Sequence, residues 1–236
     1  MSLEILKVLG GIFKGAPALP PPMQGNDAIV HGTIQGSADG VPADFRGRAV
    51  RIDATDIAAA AGDLGCEIAA VRAVIAVEAG GGSGFLPDGR PKILFEAHVF
   101  SRETQGRFDG SHPRVSSPVW NRLLYSGGAG EYTRLAEAIA LDRKAALRSA
   151  SWGLFQIMGN NHDRCGYGTV NAFVAAMCDD EANHLHAFMA FCRSGGLDRH
   201  LRSKDWASFA RGYNGANYAA NRYDTKLAAA YAQAKR

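Results

Sequence analysis

The sequence predicts a mainly α, α+β fold: helices forming one body, with a small irregular or β-containing lobe flanking a groove. Three observations predict it. From Asp53 onward apolar residues recur at helical spacing. A stretch rich in glycine and proline, residues 80–118, interrupts that pattern. A second interruption, Ser151 to Gly159, is apolar and bracketed by glycine, which suits a half-buried turn beside a groove.

The elements follow in order. Residues 15–47 carry Pro20-Pro21-Pro22 and many small residues, which is linker or loop chemistry with one or two short strands around Ile29 to Ile34. Asp53 or Thr55 caps a first helix running to about Ala61, and Gly62 and Gly65 break it. A second helix starts near Glu67, with Ile68, Val71, Ile75 and Glu78 on one stripe. Lys92 to Glu96 forms a short strand or opens a helix. Glu131 to Arg148 is a long amphipathic helix. Val170 to Arg193 is another, stopped by Gly195-Gly196. Ser203 begins a helix through Trp206, Phe209 and Tyr213, and Asp224 to Ala234 forms the last. The chain thus divides into an N-terminal segment, 1–50, and a helical unit, 51–236.

Glu78 is the residue with the most chemistry in its position. It closes the apolar run Ile68 to Val77 and is followed by Gly80-Gly81-Gly82. A carboxyl on the core side of a helix C-terminus meets two effects that disfavour its anion, burial and the negative end of the helix dipole. Both favour the protonated form that a general acid needs. The alternative is a carboxylate that swings out to water past the glycines.

Two further segments decide between these. Ser151-Trp152-Gly153-Leu154-Phe155-Gln156 and Tyr213-Asn214, in that order after the glutamate, resemble the lysozyme-like superfamily of goose-type lysozymes and lytic transglycosylases. The strings Ala76 to Gly81, Phe85 to Glu96, Ser151 to Gly159 and Asp205 to Gly215 are similar to the N-acetylmuramidase domain of bacteriophage endolysins. The resemblance runs from about Asp53 to the C-terminus. It implies a lysozyme-like fold and a peptidoglycan hydrolase that cuts the β-1,4 bond between N-acetylmuramic acid and N-acetylglucosamine. Glu78 is then the acid, and Ser151, Gln156, Tyr213 and Asn214 position the glycan or the catalytic groups. It implies no metal, nucleotide or other cofactor. A lytic transglycosylase, in which the muramic 6-hydroxyl attacks, shares the Ser151 turn. A wall-binding or virion structural protein that keeps the fold without catalysis is the rival of another class.

Glu96 is the candidate second carboxylate, as nucleophile or as the base that activates water. In an extended segment it shares a side with His98. Its competing role is to hold the loop by pairing with Arg90 or Arg102. Asp88 and Asp109 are weaker candidates. Trp120, Trp152 and Trp206 are candidates to stack on sugars; Trp206 opens an amphipathic helix and is rather a core residue, while Trp152 sits beside the glycine turn. Cys178, His184, His186 and Cys192 do not suit zinc, because residues two apart on a helix do not face each other. If Cys178 and Cys192 share one helix they lie ~21 Å apart, too far to bridge.

With 236 residues, 47% hydrophobic and 21% charged, the composition is that of a globular protein with ample core. A net charge of +3 is too small to argue for nucleic acid and compatible with approach to an anionic cell wall. No apolar run reaches the length of a membrane span. Residues 1–14 lack the basic start and cleavage site of a signal peptide, and an amphipathic leader over residues 3–13 is expected to pack on the domain or touch a membrane. The chain is expected to be monomeric, made in a bacterial host's cytoplasm, and to act on glycan strands of the periplasmic wall.

Overall fold

The computed structural model describes residues 40–80 and 82–236, so the leader, the proline run and the strands around Ile29 to Ile34 lie outside the described residues. Helix α1 (Ala54–Leu64) starts at Asp53, whose carboxylate accepts the backbone N–H of Thr55 and Asp56, while Asp56 takes the N–H of Asp53. Gly62 lies within the helix and only Gly65, left-handed at φ 66, ends it. Helix α2 (Ile68–Ala79) is central, and the expected stripe is rotated on it. Val71, Val74 and Glu78 face the core, whereas Ile68 is 41% exposed and Ile75 half-buried. Small alanines at 69, 70 and 73 let neighbours close in on several sides, so the isoleucines mark no single face.

The lobe contributes strand β1 (Ile93–Phe95) and helix α3 (Ala97–Glu103). Helix α4 (Glu131–Arg148) is interrupted at Asp142, which leaves helical geometry and caps the following turn by accepting the Ala145 N–H at 3.0 Å. The glycine-bracketed segment is a hairpin of β2 (Ala150–Trp152) and β3 (Ile157–Met158). All three strands pair antiparallel in the order β1-β2-β3, with Leu94 opposite Ser151 and Ser151 opposite Met158.

The helix expected over Val170 to Arg193 is two helices, α5 (Val170–Asp179) and α6 (Glu181–Ser194). Asp180 is extended between them and accepts the Asn183 N–H at 2.8 Å, an N-cap inside an otherwise periodic run. Cys178 and Cys192 therefore sit on different helices, which removes the premise of the distance argument; both are buried free thiols. Helices α7 (Asp198–Ser203), α8 (Trp206–Asn214) and α9 (Tyr223–Ala234) complete the chain, and α9 packs along α2.

The core runs continuously from the sheet to the helices. Phe155 of the hairpin stacks on Phe188 of α6 at 4.3 Å, and Tyr213 stacks on Phe209 at 5.3 Å. Residues preceding α1 join it: Val41 is 0% exposed, and Phe45 lies against the rings of Tyr132 and Trp152.

Candidate active site

Glu78 sits in the last turn of α2 and is 4% exposed. The Tyr223 hydroxyl, from the first residue of α9, donates to Glu78 Oε1. Burial and then the neighbouring Glu78 charge push the Tyr223 pKa well above its ordinary value, so the phenol keeps the proton it donates. Tyr213, raised by the same two causes in the same order, ends α8 close by, and the Asn214 side chain lies beside the Tyr223 hydroxyl. Three helix ends thus meet around one carboxyl.

The hairpin turn is braced from within. Ser151 donates to Gln156 Oε1 at 3.0 Å, and Gln156 Nε2 donates to the carbonyls of Gly153 at 2.8 Å and Lys92 at 3.1 Å. These bonds hold Gln156 at φ 48, a left-handed conformation unusual for a side-chain-bearing residue. Both residues therefore shape the turn that their sequence motif forms. The glycines that bracket this turn, Gly153 and Gly159, have close neighbours that are internal. A Cβ at Gly153 would meet the His184 ring at 2.7 Å, and one at Gly159 the Leu147 carbonyl at 2.1 Å.

His184 is the post on which this turn rests. Its Nδ1 accepts the Leu154 N–H at 3.1 Å and its Nε2 donates to the Met177 carbonyl at 2.7 Å, an arrangement that requires the neutral ring. Burial pulls its pKa below the ordinary value. Tyr213 links turn and acid, because its hydroxyl donates to the Phe155 carbonyl at 2.8 Å. Glu78, Tyr213, Asn214 and the Ser151–Gln156 brace thus belong to one packed unit.

Glu96 belongs to a second cluster. It follows β1 directly as the extended residue that opens α3, is 1% exposed, and its Oε2 accepts the Tyr125 hydroxyl and lies 3.2 Å from His98 Nδ1. Trp120 donates its indole N–H to Tyr125 Oη at 2.9 Å. Neither Arg90 nor Arg102 is the partner: Arg90 pairs with Asp88. Burial first, then Glu96, raises the Tyr125 pKa. Leu94 and Glu96, two apart on extended backbone, face the same side as Ser151, and at ~3.3 Å per residue Glu96 lies about 7 Å along the strand from Ser151's partner. The other tryptophans are internal or partly so: Trp152 is fully buried with its N–H on the Leu147 carbonyl at 3.2 Å, and Trp206 packs on Tyr231.

Buried charges that the sequence motifs did not single out fix both clusters. Glu131 accepts the backbone N–H groups of Phe95, Ser126 and Gly127, and Arg134 donates to Glu131 and to the Phe95 carbonyl, each at 2.8 Å. Phe95 is thereby held at both backbone groups, directly before Glu96. Glu181 takes Ser83 Oγ at 2.7 Å, the Gly84 N–H at 2.6 Å and the Ile52 N–H at 3.1 Å, tying down the segment that follows Glu78. The only sequence trace of Tyr223 is its i,i+4 spacing to Leu227 on the buried face of α9. Among the described residues no three His, Cys, Asp or Glu side chains converge as metal ligands.

The family model for N-acetylmuramidase matches residues 67–235, a span that contains Glu78, Glu96, Ser151, Gln156, Tyr213, Asn214 and Tyr223. Among solved structures the chain is similar to the crystal structure of the Burkholderia AP3 phage endolysin, at 42% identity and a TM-score of 0.71, covering 79% of this chain and 71% of that one. A comparison with curated proteins gives no match. The chain belongs to the N-acetylmuramidase family, the domain type of phage endolysins, and is by that membership a peptidoglycan-cleaving enzyme.

Proposed function

We propose that Glu78 protonates the leaving oxygen of the β-1,4 bond between N-acetylmuramic acid and N-acetylglucosamine. The observation that carries this is the buried Glu78 carboxyl, oriented by the Tyr223 hydroxyl where three helix ends meet. A proton is transferred efficiently only from a carboxyl held in one orientation, and the Tyr223 bond supplies that. Glu96 is the second carboxylate, acting on water from the sheet face. Ser151, Gln156, Tyr213 and Asn214 keep the groove wall and the acid in register. The chain acts as a monomer on glycan strands, is made in the host cytoplasm and works on the periplasmic wall, with residues 3–13 as its membrane contact.

A transglycosylase outcome is the second reading, and the capture of Glu96 Oε2 by both Tyr125 and His98 favours it, since a carboxylate so engaged is poorly placed to take a water proton. Mass spectrometry of digested peptidoglycan separates the two. The hydrolase yields reducing-end muramic acid; a 1,6-anhydro product moves the assignment to the second reading. Glu78→Gln keeps the shape and removes the proton, so turnover should fall at least about a hundredfold with the melting temperature retained. Wild-type turnover in that variant would sink the role of Glu78.

A further inference from the structure

The sheet face that carries Glu96 and Ser151 carries a third polar residue whose bonding is incomplete. The β1–β2 ladder continues one residue beyond β1, because Gly153 donates its N–H to the Lys92 carbonyl at 2.8 Å. Lys92, Leu94 and Glu96 therefore alternate onto one side, spaced ~6.6 Å apart. The Lys92 ammonium lies against the segment that follows Glu78, 3.8 Å from where a Cβ on Gly82 would sit.

That ammonium is half-buried, and among the described residues it has no hydrogen-bond acceptor and no carboxylate within 4 Å. The carboxylate that acts on it is Glu181, whose two oxygens are already taken by Ser83, Gly84 and Ile52. Arg51, an exposed second cation, acts on it electrostatically as well. Burial also pulls the Lys92 pKa below its usual value, as expected of an ammonium short of partners. Three N–H donors at a partly dehydrated position call for an anionic acceptor.

We propose that Lys92 binds a carboxylate of the peptide borne by N-acetylmuramic acid, so that the enzyme reads the peptide substituent as well as the sugar backbone. The proposal rests on the reading of this sheet face as part of the glycan groove. It assigns Lys92 a specificity role: the contact is made to a substituent remote from the bond that breaks, and its loss raises KM and spares kcat.

The test is calorimetric, on full-length protein carrying Glu78→Gln so that nothing is hydrolysed. Three probes are compared: a soluble disaccharide-peptide fragment with free carboxylates, the same fragment amidated with carbodiimide and ammonia, and chitotetraose, which has no carboxylate. The free form should bind about tenfold more tightly than the amide, as a charge-assisted hydrogen bond implies. Adding Lys92→Gln should erase that ratio and leave chitotetraose unchanged, and Lys92→Arg should preserve it. A ratio that survives Lys92→Gln overturns the proposal. So does an equal loss for all three probes with a lowered melting temperature, which would make Lys92 only a counter-charge for Glu181. If none of the probes binds, the glycan reading itself falls and takes Lys92 with it.

Discussion

At the scale of single residues, the proposed site is a carboxyl and the phenol that holds it. Tyr223→Phe deletes one oxygen from a buried contact and leaves the ring that packs α9 onto α2. As Glu78 gives up its proton, the Tyr223 bond becomes one to a carboxylate, worth about 1.5–3 kcal/mol, so kcat should fall about 10- to 100-fold. KM should change less than about twofold, and steady-state kinetics would expose the alternative, a KM effect alone. Glu78 was legible in the sequence because an acid that ends an apolar run before glycines breaks a local rule. Tyr223 was not: the two residues are 145 apart in the chain, and only the packing of α9 on α2 brings them together. Glu96 lay between these cases, since its strand was legible and the loop that supplies Tyr125 was not.

At the scale of elements, the hairpin shows how a correct motif can carry a different physical meaning. The glycines do mark a close approach, of Gly153 to the His184 ring and of Gly159 to the Leu147 carbonyl. Nothing near residue 153 announces His184, in a helix that the sequence pattern merges with its predecessor across Asp180. The neutral His184 also sets a pH dependence. In the unfolded chain it titrates near 6.5, while in the fold burial lowers its pKa. Below pH 6.5 the unfolded state therefore binds more protons, and stability drops as pH falls through that value, by up to about 1.4 kcal/mol per pH unit. His162, also lowered by burial, adds a smaller effect of the same sign. Melting temperatures from pH 7.5 to 5 should trace this fall, and His184→Leu, though less stable, should flatten it. An unchanged slope in that variant would show that another group is responsible.

At the scale of the whole molecule, the question is where the folding unit begins. Composition shifts near residue 50, yet single anchors upstream are seated in the core. Val41 is fully buried, Phe45 covers Tyr132 and Trp152, and Arg48 pairs with Asp179 at 2.6 Å and with Asp180. Two apolar side chains in a polar, proline-containing stretch leave no periodic trace, so the sequence could not reveal them. The folding unit therefore extends upstream of residue 50 to include Val41, Phe45 and Arg48. A fragment 40–236 keeps these anchors. One beginning at Arg51 should lose about 3 kcal/mol or more, the cost of vacating buried apolar sites, and melt roughly 6 °C lower or worse. Equal melting of the two fragments would return the boundary to residue 50.

The buried Glu131–Arg134 pair has a consequence for how the enzyme meets changing salt. Mobile ions screen charges in water within a distance of about 8 Å at physiological ionic strength, but they screen buried pairs much less. The clamp on Phe95, and with it the position of Glu96, is therefore much less sensitive to the surrounding electrolyte. Long-range attraction between a chain of net charge +3 and an anionic wall has no such protection. Salt thus acts mainly on arrival at the wall and far less on the position of Glu96.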